Sequence, residues 1–313
     1  MKVRQLLSLL VCTLFFLSSC GAELKPVESI PVKTTEEVPN DVPKTEKNDT
    51  AEEVSVIPIG TTGMISLKVV SFNVNTYNAQ QENEKNWHNR KDALCSYILS
   101  MEADVLCLQE TPELYRDYFA EKFSSVYGYE HFNHNMTLYR KDRFKELGFT
   151  TQFYGTDPTK KAPAYDASME RNFTVTHLRD KESGAEFYAV ATHFDHRGLK
   201  ARIMAAKQLL DTFSKSEIPY ILCGDFNTTE ESYAYRDLTS LFLDAQKVAK
   251  TSDSGRSFNK WGKYGEEGLP IDFCFVCPVN ITVNSYKILR DRWGENYLYS
   301  DHFPICVNLE MAY

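Results

Sequence analysis

The sequence predicts an α/β domain in which sheets pack on one another and helices lie outside. Three observations carry this expectation. Six short segments are apolar or β-branched on both faces, two longer segments carry one apolar face, and 248 residues remain for a single domain once the first 65 are set aside.

Taken in chain order, the first strand is read at Lys68 to Asn73 (Lys-Val-Val-Ser-Phe-Asn). A helix follows from Trp87 to Met101, where Leu94, Tyr97, Ile98 and Met101 recur at helical spacing. Val105 to Gln109, Phe187 to Thr192, Tyr220 to Gly224, Ile271 to Val276 and Ile305 to Leu309 read as buried strands. The second helix runs from Leu199 to Ser214, with Ile203, Ala206, Leu210 and Phe213 on its apolar face. Strands apolar on both sides need cover on both sides, which is why layers are expected.

The first 65 residues have another character. Lys2 and Arg4 precede an apolar run from Leu6 to Leu17, and Leu17-Ser18-Ser19-Cys20 closes it. This is the pattern of a bacterial export signal, too short to span a membrane comfortably, ending in a lipobox. It implies cleavage before Cys20 and lipid attachment at that thiol. Residues 21–65 are rich in Pro, Thr, Glu and Lys without apolar periodicity, so they read as a disordered tether. The expected organisation is a signal peptide at 1–19, a lipid-anchored linker at 20–65 and a folded domain at 66–313. Such a chain belongs at the bacterial cell envelope, the outer membrane favoured, facing the periplasm or the exterior.

Charge follows the same division. Lys and Arg total 35 against 43 Asp and Glu, a net of -8. The tether holds -5, the signal +2, and the domain the remaining -5. No strong basic nucleic-acid surface is expected from that balance. With 42% hydrophobic residues the chain is not disordered throughout, and 8 Cys are too few for a disulfide scaffold. Cys95, Cys107, Cys223, Cys274, Cys277 and Cys306 fall mostly within strands, as small buried hydrophobes. Cys274 and Cys277 are three apart, which on a strand points them to opposite faces.

The chemistry gathers at the strand ends. Asn73 and Asn75 follow the first strand, Gln109-Glu110 the second, His193-Phe194-Asp195-His196 the third, and Asp225-Phe226-Asn227 the fourth. Asp272 sits in the fifth, and Ser300-Asp301-His302 precedes the last. Each group alone reads as a turn former or a satisfied polar pair. Four strand ends and two flanking segments supplying acids, amides and histidines together read as one cleft.

In that order, Ser71-Phe72-Asn73, Gln109-Glu110, Thr192-His193-Phe194-Asp195, Gly224-Asp225-Phe226-Asn227, Ile271-Asp272-Phe273 and Ser300-Asp301-His302 resemble the endonuclease/exonuclease/phosphatase (DNase I-like) superfamily. The resemblance spans residues 66–313 and implies a four-layer αββα sandwich of two mixed sheets with flanking helices. It also implies divalent-metal-dependent phosphoester hydrolysis, with Mg²⁺ or Mn²⁺ as cofactor. Mg²⁺ takes oxygen ligands and keeps several waters, so few carboxylates suffice. On this resemblance Glu110 is the main ligand, with Asn73 and Asp301. Asp225 orients and deprotonates the attacking water, and Asn227 donates to a phosphoryl oxygen. His193 and His302 donate to oxygens that gain charge, and Asp272 orients one of the two rings. Asp195 is read as a partner behind His193, and Arg171 as a phosphate contact or an ordinary loop salt bridge.

His193-Phe194-Asp195-His196 also invites comparison with the metallo-β-lactamase zinc motif, but Ala191 stands where that motif needs another His. A catalytically silent binding module with the same fold is the alternative to an enzyme. The substrate classes left open are nucleic acid, lipid phosphodiester and small phosphoester, and a monomer is expected.

Overall fold

The computed structural model describes residues 63–313. The expected signal peptide, Cys20 and the expected tether up to residue 62 lie outside the described residues, while Met64 and Ile65, read as the tether's end, open the first strand. The domain is two sheets face to face, each covered by helices on its outer side.

The first sheet contains β1 (Met64–Asn73), β2 (Val105–Gln109), β3 (Tyr127–Phe132), β4 (Asn135–Arg140), β10 (Thr251–Ser252), β12 (Ile281–Ile288) and β13 (Ile305–Ala312). Its order is β10-β12-β13-β1-β2-β4-β3. The second contains β5 (Phe144–Phe153), β6 (Asn172–Asp180), β7 (Glu186–His193), β8 (Tyr220–Asp225), β9 (Leu243–Asp244) and β11 (Asp272–Val276), in the order β5-β6-β7-β8-β11-β9. Both sheets are mixed: β1 pairs parallel with β2, and β7 with β8, while their other neighbours run antiparallel. Helices α1 (Trp87–Ser100) and α2 (Glu113–Phe123) cover the first sheet, and α3 (Leu199–Phe213) with α4 (Tyr233–Leu238) the second. A four-residue helix, α5 (Ala245–Val248), follows β9.

The period of two along each strand explains the layers. In β1, Leu67 and Val69 enter the core between the sheets, while Val70 and Phe72 face α1 and α2. In β8, Ile221 and Cys223 point between the sheets, while Tyr220 and Leu222 face the outer helices. The motif glycine Gly224 is required by close approach: a Cβ there would lie 2.2 Å from the Thr192 carbonyl oxygen of β7.

All six read strands form, with small differences at their ends. β1 begins at Met64, four residues before the read segment. In α1, Leu94, Tyr97, Ile98 and the capping Met101 are buried as expected, and the Asn86 side chain caps the helix by accepting from His88 N at 3.0 Å. The face of α3 differs from expectation. Ala201, Ala205, Ala206, Leu209 and Phe213 are buried, whereas Ile203 and Leu210 are only half-buried. Small alanines let the helix lie close to the sheet, and the larger branched residues then flank that contact. Cys274 and Cys277 do face opposite layers, and all six cysteines of the domain are buried and unbridged.

Candidate active site

The inward-facing row of each central strand turns polar at one end. In β2 the row Val105, Cys107 ends in Gln109, and in β7 Ala189, Ala191 ends in His193. In β8 Ile221, Cys223 ends in Asp225, and antiparallel β11 starts at Asp272 before Cys274 and Val276. Register sets His193 and Asp272 beside Asp225 on either side. Asn73 Nδ2 on the opposite sheet donates to Asp225 Oδ2 at 3.0 Å, so the two polar rims meet.

Asp225 is the centre of the arrangement. Its Oδ1 accepts from the Asn227 backbone N at 2.8 Å. Around Oδ2 stand Asn73 Nδ2, His193 Nε2 at 3.4 Å and His302 Nε2 at 3.7 Å. His302 Nδ1 bonds Asp272 Oδ2 at 2.8 Å. The backbone is bent to achieve this: Glu110 (φ 62°), Asn227 (φ 48°) and Asn75 (φ 56°) all adopt left-handed conformations just past strand ends. Non-glycine residues there cost on the order of 1 kcal/mol or more each, so the surrounding bonds must hold them.

Electrostatics divides the two histidines. Burial pushes the Asp225 carboxyl up to about 7, and Asp272 adds to the effect, while His302 opposes it. Burial alone would depress His302, but Asp272 and Asp225 flank it and hold its pKa well above the ordinary value. His193 is held well below its ordinary value by burial, then by Arg171 and His302. Arg171 Nη1 lies 3.0 Å from His193 Nδ1. Arginine carries only donors, so Nδ1 faces a donor, while Nε2 stands 3.0 Å from Asn227 Nδ2 and 3.4 Å from Asp225 Oδ2. Asn227 Nδ2 donates to the Phe194 carbonyl at 3.1 Å and stands beside the same Nε2.

Glu110 Oε1 accepts from Asn73 Nδ2 at 3.0 Å, and Oε2 from Thr76 N at 2.7 Å. Asp301 shares the cleft with it. Burial raises the Asp301 pKa, His302 lowers it and Glu110 raises it again. Two oxygen-rich carboxyls crowded at a cleft wall fit a hard divalent cation, which would relieve that repulsion. Asn73 presents its amide nitrogen here, because its Oδ1 accepts from Asn75 N at 3.0 Å. It bridges Glu110 and Asp225. Asp225, Asp272 and His302 also bring ligand atoms within 4.8 Å of one another. In that trio His302 Nδ1 is bonded to Asp272 Oδ2, and its Nε2 faces Asp225 Oδ2 at 3.7 Å.

The cleft has a volume of about 320 Å³ and is lined by Glu110, Arg171, His193, Asp225, Asn227, Asp301 and His302 among others. Asp272 lies behind His302. Asp195 does not touch His193: its Oδ2 accepts from Ser168 N, Ser168 Oγ and Met169 N, and its Oδ1 from Arg197 N and Gly198 N. It pins two loops together, with its side chain turned away from the ring. Arg171 lines the cleft beside His193 and forms no salt bridge among the described residues. His196 lines the cleft as well, as do Thr76, Asn133, His134, Met169, Glu170 and Phe258. Most of these sit on the β3–β4 turn and the 166–172 loop, whose sequences carry no periodic or strand-end signal.

Comparison with known proteins follows the same lines. Residues 70–302 match the Endonuclease/Exonuclease/phosphatase family. Nocturnin of Mus musculus is 26% identical over 248 residues, covering 70% of this chain and 56% of that protein, so the chain spans about half the length of this relative. The structure of an endonuclease/exonuclease/phosphatase from Bacteroides vulgatus is 28% identical with a TM-score of 0.73, covering 79% of this chain and 99% of that one. A mannosyl-6-phosphatase from Bacteroides thetaiotaomicron shares the fold at a TM-score of 0.71 and 24% identity, covering 78% and 99%. Members of the matched family are hydrolases acting on phosphoesters. With two mixed sheets beneath outer helices and the motifs in family order along one rim, the chain belongs to the endonuclease/exonuclease/phosphatase family.

Proposed function

We propose that the protein is a divalent-metal-dependent phosphoesterase acting on a small phosphate ester. The observation that supports this most is Asp225 on the cleft floor, facing two imidazoles and tied through Asn73 to Glu110. Asp225 accepts a proton from the attacking water and sets its direction. Asn227 and His193 donate to phosphoryl oxygens, and the imidazolium of His302, held by Asp272, offsets charge growing on the phosphoryl group. Mg²⁺ or Mn²⁺, held by Glu110 and Asp301 with Asn73 beside them, would supply Lewis-acid polarisation of the phosphoryl group.

Size and charge support a small substrate. Among the described residues Arg171 is the one Lys or Arg lining the cleft, and about 320 Å³ suits a phosphorylated small molecule better than an extended strand. Three basic residues are engaged locally: Lys161 pairs with Glu170, Arg202 donates to the Asp195 carbonyl, and Arg290 pairs with Glu266. Trp293 bonds the Leu298 carbonyl and packs on Tyr297, which leaves little for a membrane-inserting aromatic loop. The test is a panel of plasmid DNA, RNA, sphingomyelin, phosphoinositides, sugar phosphates and an aryl phosphate with Mg²⁺ or Mn²⁺. Turnover confined to small esters supports the reading. No turnover of any member would leave a silent binding module.

The anchor belongs to the same proposal: a lipid on Cys20 would hold the enzyme at the envelope. Labelled fatty acid should enter the wild-type chain and not Cys20→Ser.

A further inference from the structure

Arg90 lies on α1, outside the cleft lining and outside every motif named above. Its side chain is fully buried, and among the described residues no carboxylate lies within ion-pair distance of it. Burying a guanidinium without a counter-ion is costly unless every donor finds a partner. Here the partners are backbone carbonyls from three separate segments. Nε donates to Lys85 O at 3.1 Å, Nη1 to Tyr299 O at 2.9 Å and Nη2 to Asn75 O at 2.5 Å. Nη2 also reaches Tyr115 Oη at 3.2 Å, and that hydroxyl donates to the same Asn75 carbonyl at 3.0 Å. Trp87, stacked on Tyr115, and Trp261 enclose the group.

The two remote carbonyls are next to the candidate metal ligands. Asn75 precedes Thr76, whose N–H holds Glu110 Oε2, and Asn75 N itself fixes Asn73 Oδ1. Tyr299 precedes Ser300, whose Oγ donates to the Asn73 carbonyl at 2.7 Å, and Asp301 follows. Trp261 lies on the loop whose Asn259 and Lys260 N–H groups bind the Asp301 carbonyl. One planar fork therefore fixes the spacing between the turn that holds Glu110 and the segment that carries Asp301. Glu110 and Asp301 both act electrostatically on Arg90, although burial dominates and lowers its pKa.

We propose that Arg90 is a positioning residue for the metal site: its guanidinium clamps the Asn75 and Tyr299 carbonyls and so sets the distance between Glu110 and Asp301. The inference rests on the metal reading of that site. Lysine keeps the charge but cannot span both carbonyls as a rigid fork.

The test is calorimetric titration of the full chain with MnCl₂, beside circular dichroism and thermal melting without metal. Arg90→Lys, folded, should bind Mn²⁺ about tenfold or more weakly, as is usual when a group orienting a ligand is lost. Its activity should recover substantially at saturating Mn²⁺, so that the loss lies in metal affinity and not in kcat. A folded Arg90→Lys that binds Mn²⁺ as tightly as wild type overturns the proposal. If that variant does not fold, Tyr115→Phe decides: about threefold or more weakening supports the clamp, and unchanged affinity overturns it. A wild-type chain that binds no Mn²⁺ overturns the metal reading itself and the clamp with it.

Discussion

Asp225 concentrates the chemistry because it is buried, faces Asp272 and is still surrounded by donors. Asp225→Asn preserves shape but cannot accept the water's proton, so kcat/KM on a responsive ester should fall about 10²-fold or more with little change in melting temperature. Asp272→Asn acts one bond further back. It removes the carboxylate that keeps His302 protonated, and a comparable loss is expected, measured in the same assay. Both residues were readable from the sequence only in combination, because an acid at a strand end alone reads as a turn former, whereas six polar segments in one order read as a cleft. Arg90 was not: an arginine on a helix reads as solvated, and only the fold shows three carbonyls around it.

At the scale of the element, strands were readable and their partners less so. β2, β8 and β11 are apolar on both faces and announce themselves. β5 is half-buried along most of its length, so its composition is mixed and carries no clear period. In α2 the buried face is only Tyr115, Phe119 and Phe123 on an otherwise polar helix. The loops show how a wrong contact can still be the right residue. Burial opposes ionisation of Asp195, yet the Gly198, Arg197 and Ser168 donors hold its pKa down to about 2. A depressed carboxylate contributes stability that is complete above its unfolded value of 3.8 and fades as pH falls toward 2. Asp195→Asn should therefore melt below wild type at neutral pH, and the gap should close between about pH 5 and about pH 2.5 in thermal melts. Packing gives a second expectation at this scale. Phe226, from the Gly-Asp-Phe-Asn motif, is fully buried against Phe194, Phe273 and Phe275. Phe226→Ala should cost about 3–5 kcal/mol in denaturant unfolding, which makes the motif structural as well as chemical.

Across the whole molecule, the site is a seam between two sheets. Glu110, Asn73 and Asp301 belong to the first sheet or its flanks, and His193, Asp225, Asn227 and Asp272 to the second. Carboxyls gathered in such a seam repel when no cation is present. Mg²⁺ or Mn²⁺ should accordingly raise the melting temperature, with about 2.7 kcal/mol of stabilisation at a hundredfold excess over Kd. A chelator should abolish both the stabilisation and the turnover, and thermal melts with and without metal check the first.

The position of β13 carries a consequence for biosynthesis. It is the last of the described strands, yet it lies inside the first sheet between β1 and β12. Ser300, Asp301 and His302 arrive just ahead of it, and Ser300 closes on Asn73 across 227 residues. A copy cut before residue 300 has neither a finished cleft nor a closed sheet. A copy lacking β13 is left with β1 and β12 as exposed strand edges that invite aggregation and clearance.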